Sequence, residues 1–388
     1  MPLLSSKETE QAMRVLAFPR LPADRRLLAQ TDAACVSLQE KLLRLDLRSL
    51  DISEYNKRNL GYKIRHIRRT LQACGHLLAL SLSNATVPLG QFVLVDYGGG
   101  CGLFSLLAKQ MGVGRVIYSD IYSVSCDDVR RLSDAMGLPL DGIVCGDVDS
   151  LASYLTDNSI AISALASYDV IEHVYDIDEF LRRMARLPGD HFRVVHASTA
   201  NAKNPLYVYW AKRTQREFEY RDRRKKWGTK ERDSLESYLG MRREIVVNYA
   251  PSLKPEQAER LALSTRGLRQ KDIQNCVDEF LRDGRVTFTP DHPTNTCDPY
   301  TGNWCERLMR PEWLQGILED AGLSVQLLSG YWVDLGRAHL RVHLRFAERI
   351  LNMTISHFGR RAMLVWPYFI LCADHKGKAG STTREHVS

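Results

Sequence analysis

Apolar residues recur at helical spacing from Arg25 to Leu50 and again from Asn56 to Leu82, and Val87-Pro88-Leu89-Gly90 closes that region. From Phe92 the period changes. Short apolar runs follow one another: FVLVDYG, RVIYSDIYS, GIVCGDV, ASYDVIEHV and HFRVVHAS. Helical runs separate the earlier ones, and Phe180 to Arg186 separates the last two. Strand alternating with helix predicts a parallel α/β sheet. Residues 201–308 break the rhythm. They are polar, helical from Pro255 to Gly284, then loop-like through TPDHPTNTCDPYTGNW. Helix and strand resume at Arg310 with RPEWLQGILEDAGLSVQLLSGYW, and an apolar strand from Leu364 to Ala373 follows. The chain thus divides into an N-terminal helical region (1–90), a sheet core (91–200 and 309–375), an insertion (201–308) expected to carry specificity, and a polar tail (376–388) expected to be disordered.

Composition adds bounds. The 388 residues are 44% hydrophobic and 26% charged, a core-forming balance. The opening MPLLSSKETEQAM lacks the apolar stretch of a signal peptide, and MLVWPYFILCA (Met363 to Ala373) is too short to span a bilayer. The nine cysteines include no C-x-x-C pair, and Cys297, Cys305 and nearby His292 match no zinc spacing. Reduced thiols imply a cytoplasmic location. The net charge of +7 suits an anionic small molecule, an acidic glycan, a membrane surface or nucleic acid. Arg213 to Asp233 carries nine basic and five acidic residues and reads as a solvated helix laced with i,i+4 ion pairs. Arg337 to Ile355 is basic with an apolar stripe. It suits packing onto the sheet, or peripheral contact with the inner face of a membrane.

Chemistry concentrates in FVLVDYGGGCGLFSLLAKQMG, Phe92 to Gly112. A strand, a glycine loop and a helix form a nucleotide-type site, because glycine admits a ligand to the backbone and the helix start offers free N–H groups. Gly98, Gly100 and Gly102 are spaced G-x-G-x-G, with Leu103 where the dinucleotide fingerprint has glycine. Asp96 would repel a pyrophosphate and attract an ammonium group, so the ligand reads as a cationic amino-acid moiety. Cys101 is a small filler within the loop. Asp120 ends RVIYSD, Asp147 ends GIVCGD, and Asp169, Glu172 and His173 follow in SYDVIEHV.

The D-x-G-x-G-x-G arrangement resembles motif I of class I S-adenosylmethionine methyltransferases. The string Asp169-Val170-Ile171-Glu172-His173 resembles the (D/E)-x-I-E-H signature of their ubiquinone-biosynthesis-like branch, and EDAGLSVQLLSGYW resembles the helix before their final strand pair. The resemblance covers roughly 92–200 and 309–375. It implies a Rossmann-like, mostly parallel sheet with an antiparallel final strand. It implies S-adenosylmethionine as cofactor and S-adenosylhomocysteine as product. Asp96, Gly98, Gly99, Gly100 and Gly102 would lie along the methionine half, Asp120 at the ribose and Asp147 at the adenine, with Ile121, Val148 and Asp169 as further cofactor-binding residues. Asp147 also reads as the N-cap of the helix after it. Tyr62 and Arg65 are ordinary helix residues or, as in relatives of this kind, reach the cofactor carboxylate.

Methyl transfer needs alignment and, for a hydroxyl acceptor, a base. His173 is the candidate base, with Glu172 beside it to orient the ring; the same pair could instead shape the loop. Asp169, Glu172, His173 and His196 are also similar to the magnesium-binding E-x-x-E-H set of some 2′-O- and ubiquinone O-methyltransferases. Asp stands here for the first Glu, and the metal-free reading is preferred. The loop HPTNTCDPYTGNWCERLMRPEW gathers His292, Asn295, Asp298, Asn303, Trp304, Glu306 and Arg307. Amides, an aromatic face and charges suit a polyhydroxylated ligand, though the loop could equally be held by its own side chains. The expectation is an O-methyltransferase for a small polar or sugar acceptor, such as an acidic sugar of a bacterial surface glycan. An RNA 2′-O-methyltransferase and a non-catalytic scaffold subunit are the alternatives, and nucleic acid is not the expected partner.

Overall fold

The computed structural model describes residues 24–225, 228–290, 292–330, 347, 350–354, 357–366 and 368–375. The apolar runs become β1 (Val93–Tyr97), β2 (Arg115–Asp120), β3 (Gly142–Cys145), β4 (Ala164–Tyr168) and β5 (Arg193–Ser198), joined by β6 (Leu323–Ser329) and β7 (Phe369–His375). They make one sheet in the order β3-β2-β1-β4-β5-β7-β6. β1 to β5 pair in parallel, and β7 lies antiparallel between β5 and β6. This is the expected Rossmann-like sheet with its antiparallel final strand.

Both faces of the sheet are covered, which is why its strands read as near-continuous apolar runs. Leu94 points to one face, packed with α3 (Ile67–Leu82) and with α1 (Arg25–Arg44) beyond it. Val95 points to the other, among residues of helices further along the chain. Between α1 and α3 lies α2 (Glu54–Arg65). The helical run expected from Asn56 to Leu82 therefore breaks at His66, whose φ of −114° and ψ of 33° leave the helical region. Asp128 accepts hydrogen bonds from the Ser53 N–H (3.0 Å) and Asn56 Nδ2 (2.8 Å), tying the start of α2 to the core. The crossover helices are α4 (Leu103–Met111), α5 (Ser123–Ala135), α6 (Val148–Asp157) and α7 (Ile177–Met184).

The insertion supplies α8 (Pro205–Tyr220), α9 (Tyr238–Tyr249), α10 (Pro255–Ser264) and α11 (Gln270–Asp283), and α12 (Pro311–Asp320) returns to the sheet. Helices α9, α10 and α11 share a small core of their own, with Ile245, Val246, Leu261, Ile273 and Val277. Beside it, Glu219 is 2% exposed and pairs with Arg242 (2.6 Å) and Arg266 (3.0 Å) while accepting the Thr296 hydroxyl (2.7 Å). Burial would raise the Glu219 pKa, but the two guanidinium groups outweigh it and hold it below its usual value.

Three sequence expectations change. The fourth strand stops at Tyr168, because Asp169 takes a φ of +52° and turns the chain; Asp169 to His173 are the turn itself. The last strand starts at Phe369, and Gly359–Leu364 is a 3₁₀ helix. The helix expected across 213–233 ends at Tyr220, because the residues beyond it bond back to the sheet end. Most of Arg337 to Ile355, and the tail from 376, lie outside the described residues. No helix among the described residues is long and apolar enough to cross a membrane.

Candidate active site

The chain reverses its strand order between β1 and β4, so the carboxyl ends of those strands open a crevice where ligands of such sheets sit. The glycine loop borders it. Gly98 has a φ of +69°, and a Cβ there would lie 2.5 Å from Val170 Cγ2, so only glycine lets the loop close against the turn after β4. Added carbons at Gly99 and Gly102 would collide with Tyr118 and Val129. Gly100 differs: its φ is +56°, and a Cβ there would meet nothing within 4 Å. Open space beside a left-handed glycine is the cradle a ligand needs.

The acids are pinned around this loop. Asp96 is 3% exposed; its Oδ2 accepts from the Ser105 N–H (3.1 Å) and hydroxyl (2.6 Å), joining β1 to the first turn of α4. Burial raises its pKa to about 6 against these bonds and the pull of Lys63. Asp120 accepts the Gly100 N–H (3.0 Å) on Oδ2 and the Tyr122 N–H (2.8 Å) on Oδ1, so its carboxylate is held at the tip of β2. Ile121 beside it is 53% exposed, an apolar surface at the mouth of the crevice. Asp147 is the N-cap of α6: its Oδ1 accepts from the Ser150 N–H and hydroxyl, both at 3.0 Å, and those bonds lower its pKa. Val148 is buried among the apolar residues of α6 and α7. These bonds give Asp147 the cap role that the sequence also offered, on Oδ1 alone, and Val148 packs the core.

Two covers over the crevice were not legible in the sequence. Tyr62 packs on His66 with its ring tilted and Arg65 is exposed, but Lys63 between them lies close enough to the glycine loop for its charge to act on Asp96 and Cys101. Nothing marked Lys63 above its neighbours except helical phase. The second cover is the basic stretch after α8. Glu231 accepts from the Tyr122 hydroxyl (3.0 Å) and from Arg58 (3.3 Å), while Lys230 and Arg232 stand over the Tyr122 ring. Burial lowers the Lys230 pKa, and the Asp120 charge opposes that. The stretch is thus a strap across the tip of β2.

On the other side of the crevice, the turn after β4 is zipped to the loop before α12. The Trp304 N–H donates to the His173 carbonyl (3.2 Å) and the Arg307 N–H to the Glu172 carbonyl (3.4 Å). His173 Nδ1 lies 2.8 Å from the Trp304 carbonyl. A carbonyl only accepts, so Nδ1 carries a proton and Nε2 is left as the acceptor of the neutral ring. Glu172 was expected to orient this ring; Trp304 does so instead. Glu172 is fully buried, and neither of its oxygens has a hydrogen-bond partner. Burial, then Asp169 and Glu306, raise its pKa well above the usual carboxylate range. Asp169 is raised by burial and by Glu306 as well, with His173 acting against this. Asp169 Oδ1 accepts from Thr199 N–H (3.2 Å) and Oγ1 (3.3 Å), and Glu306 Oε2 from the Tyr207 hydroxyl (2.5 Å). Tyr207 and Thr199 were not among the sequence candidates.

Most of the residues expected to read a sugar hold the loop instead. Trp304 is 8% exposed, stacked on Tyr175 at 5.9 Å with Arg307 4.5 Å from its ring centre, and its Nε1 donates to the Tyr175 carbonyl. It offers no free face to a sugar. Asn295 is buried and bonds Gln215 and both main-chain groups of Leu308. His292 bonds Thr294, and Asn303 is exposed, its carbonyl bonded to the Asp298 N–H. Asp298 Oδ1 accepts from the Tyr300 and Thr301 N–H groups, and of the seven Glu306 alone acts with its charge on Asp169 and Glu172. His196 lies in β5, fully buried and bonded to Ser167 (2.7 Å), not with His173. Among the described residues no group of three His, Cys, Asp or Glu side chains is arranged to hold a metal ion.

Residues 95–190 match the sequence model of a family described as methyltransferase domain. This part of the chain, from β1 to the loop before β5, is similar to a methyltransferase domain. Its cofactor is S-adenosylmethionine, and the residues around the glycine loop fit it. The open space at Gly100 leaves room for its amino-acid half, Asp96 ends the strand that leads into the loop, and Ile121 offers an apolar surface at the tip of β2. No curated protein sequence matches the chain significantly. Among solved structures, an S-adenosylmethionine-dependent methyltransferase from Mesorhizobium loti aligns at 12% identity over 74% of this chain and 94% of its own, with a TM-score of 0.37. One from Archaeoglobus fulgidus aligns at 13% over 74% and 87%, with a TM-score of 0.31. The plantazolicin methyltransferase BpumL aligns at 9% over 89% and 99%, with a TM-score of 0.37. Likenesses this distant carry no information on the acceptor.

Proposed function

We propose that this methyltransferase methylates a heteroatom, a hydroxyl oxygen or an amine nitrogen, on a small polar acceptor, with His173 as the base. The observation that carries the reading is the bond between His173 Nδ1 and the Trp304 carbonyl, which leaves Nε2 free of any protein partner among the described residues. S-adenosylmethionine supplies an electrophilic methyl group on a sulfonium. The chain holds the acceptor in line, excludes water and removes its proton, and His173 Nε2 takes that proton. The likeness of Asp169 to His173 to the ubiquinone-biosynthesis-like branch supports the same reading.

The acidic sugar expected from net charge fits less well, since the side chains at the crevice beyond the glycine loop are carboxyls. An RNA acceptor fits less well too, because the basic stretch is engaged within the chain. Arg223 stacks on Phe218 (4.0 Å) and bonds the Ser234 carbonyl, and Arg58 and Lys225 pair with Glu231. The test is His173→Ala with labelled S-adenosylmethionine and fractionated lysate. Turnover should fall by roughly 10²–10⁴-fold while S-adenosylhomocysteine affinity by calorimetry stays within a factor of about two. Near-normal turnover would remove His173 as the base.

A further inference from the structure

We propose that Cys145 and Cys126 form a peroxide-reactive dithiol at the edge of the cofactor site, in which Cys145 meets the oxidant and Cys126 closes the disulfide. Its consequence for the cofactor rests on the methyltransferase reading; the thiol chemistry does not.

The two cysteines come from β3 and α5, and the sheet sets them on one side. Side chains alternate along β3: Ile143 packs with Tyr118, Cys126 and Val129, while Val144 belongs to the opposite apolar layer. Cys145 therefore returns to the face that Cys126 occupies. The level along the strands matches as well. Cys126 Sγ lies 3.5 Å from the Asp120 carbonyl and 3.9 Å from the Val144 carbonyl. Cys145 is both the residue after Val144 and the register partner of Asp120. Access differs between the two thiols. β3 is an edge strand of the sheet, and Cys145 at its end is exposed, whereas Cys126 is buried behind it. Of the other cysteines, Cys74 is half-buried and the rest are buried.

The roles follow from these surroundings. An exposed thiol can release its proton to water and meet a dissolved oxidant. Burial, then Cys145, hold the Cys126 thiol above its ordinary value, so it stays protonated. The Cys145 thiolate attacks one oxygen of the peroxide; the O–O bond breaks, and the departing hydroxide takes up the proton that Cys145 released. Cys145 is then a sulfenic acid. Cys126 Sγ attacks Cys145 Sγ, the S–O bond breaks, and the hydroxyl leaves with the Cys126 proton as a second water. The two thiols are oxidised to one disulfide, and the peroxide is reduced to water.

Asp120 ties this pair to the cofactor site. Its carbonyl accepts the Gly146 N–H (2.9 Å) beside the Cys126 thiol, and its carboxylate accepts the Gly100 N–H (3.0 Å) of the glycine loop. A disulfide holds its sulfurs about 2 Å apart, well inside any non-bonded approach. Closing it draws Cys126 Sγ from the Asp120 carbonyl and shifts the tip of β2, so the oxidised form should hold the cofactor less tightly.

The test is titration of the full chain with hydrogen peroxide, then trypsin digestion and mass spectrometry without reductant. Cleavage after Arg130 and Arg131 puts Cys126 and Cys145 on separate peptides, so their disulfide is read as one joined species. That species should be the main thiol product at equimolar peroxide and should vanish in dithiothreitol. Cys126→Ser should leave Cys145 as a sulfenic acid that dimedone captures, and Cys145→Ser should leave Cys126 unoxidised. By calorimetry, the disulfide form should bind S-adenosylhomocysteine about tenfold more weakly than the reduced form, and dithiothreitol should restore the affinity. Both reduced serine variants should bind as the parent does, which shows that they fold. Absence of the joined species would overturn the proposal, as would Cys126 oxidised equally fast in Cys145→Ser. A disulfide form with the parent's affinity would overturn its link to the cofactor. Reduced protein that fails to bind S-adenosylhomocysteine would break the cofactor reading alone, because the joined peptides are still read by mass.

Discussion

On the glycine-loop side of the crevice, all the groups but Lys63 and the strap at 230–232 come from two strands and the turns that follow them, within residues 96–121. Their positions are set by main-chain geometry: glycines that close on Val170, Tyr118 and Val129, and carboxylates that accept N–H groups of neighbouring turns. On the acceptor side, the groups come from residues 169–173, 199–207 and 304–307, brought together by side chains reaching across the fold. The first half is local and repeats a backbone solution that any sequence with the right glycines can adopt. The second depends on how the insertion docks. One half can therefore serve many methyltransferases, and the other belongs to this chain.

The comparison can be broken most severely at Glu219. If the insertion is held by its own buried network, Glu219→Ala leaves Arg242 buried and unpaired and should cost about 3–5 kcal/mol. Thermal unfolding should then show the insertion loosening first, with S-adenosylhomocysteine binding to the core retained. A variant as stable as the parent would mean the insertion does not rest on this network. The next effect belongs to the cofactor half. Gly100→Val places a branched chain in the open cradle at a φ of +56° and should weaken S-adenosylhomocysteine binding by about 100-fold, roughly 2.7 kcal/mol, with the fold intact by circular dichroism. Normal affinity would show that the cradle serves no ligand. The smallest effect sharpens the electrostatics. Asp96 is raised from 3.8 to about 6, so folding favours its protonated form, and the advantage is lost as pH rises through about 6. Asp96→Asn removes that cost, so it should stabilise the ligand-free protein more at pH 7 than at pH 5, by about 1 kcal/mol in chemical denaturation. A larger gain at pH 5 would contradict the burial of the charge.

What could be read beforehand follows the same division. Strand order, the glycine loop and the acids at the strand tips were legible, because each depends on residues adjacent in sequence. The limits of strands were less so: β4 looked longer because apolar Val170 and Ile171 continue its pattern, and only the left-handed backbone at Asp169 ends it. The insertion was misread where composition stood in for geometry. Trp304 and Asn295 looked like groups awaiting a sugar, yet both are spent on partners about 80 to 130 residues away. The basic stretch after α8 looked like a solvated helix, since nothing in its spacing announces that Glu231 will meet Tyr122. Lys63 and Tyr207 carried no local mark at all. Contacts set by long-range docking leave no periodic trace in the chain.

The seam between His173 and Trp304 has a consequence for how this enzyme could change its acceptor. Its three bonds end on carbonyl oxygens of Glu172, His173 and Trp304, and the only side chain among the six ends is the imidazole itself. A carbonyl is the same whatever residue bears it. Cys305 and Glu306 can therefore be exchanged without moving the ring, and the groups that select the acceptor are free to drift while the base stays in register. Directed diversification of Glu306, with Tyr207 bonded to it, is the natural route to new acceptors on this scaffold.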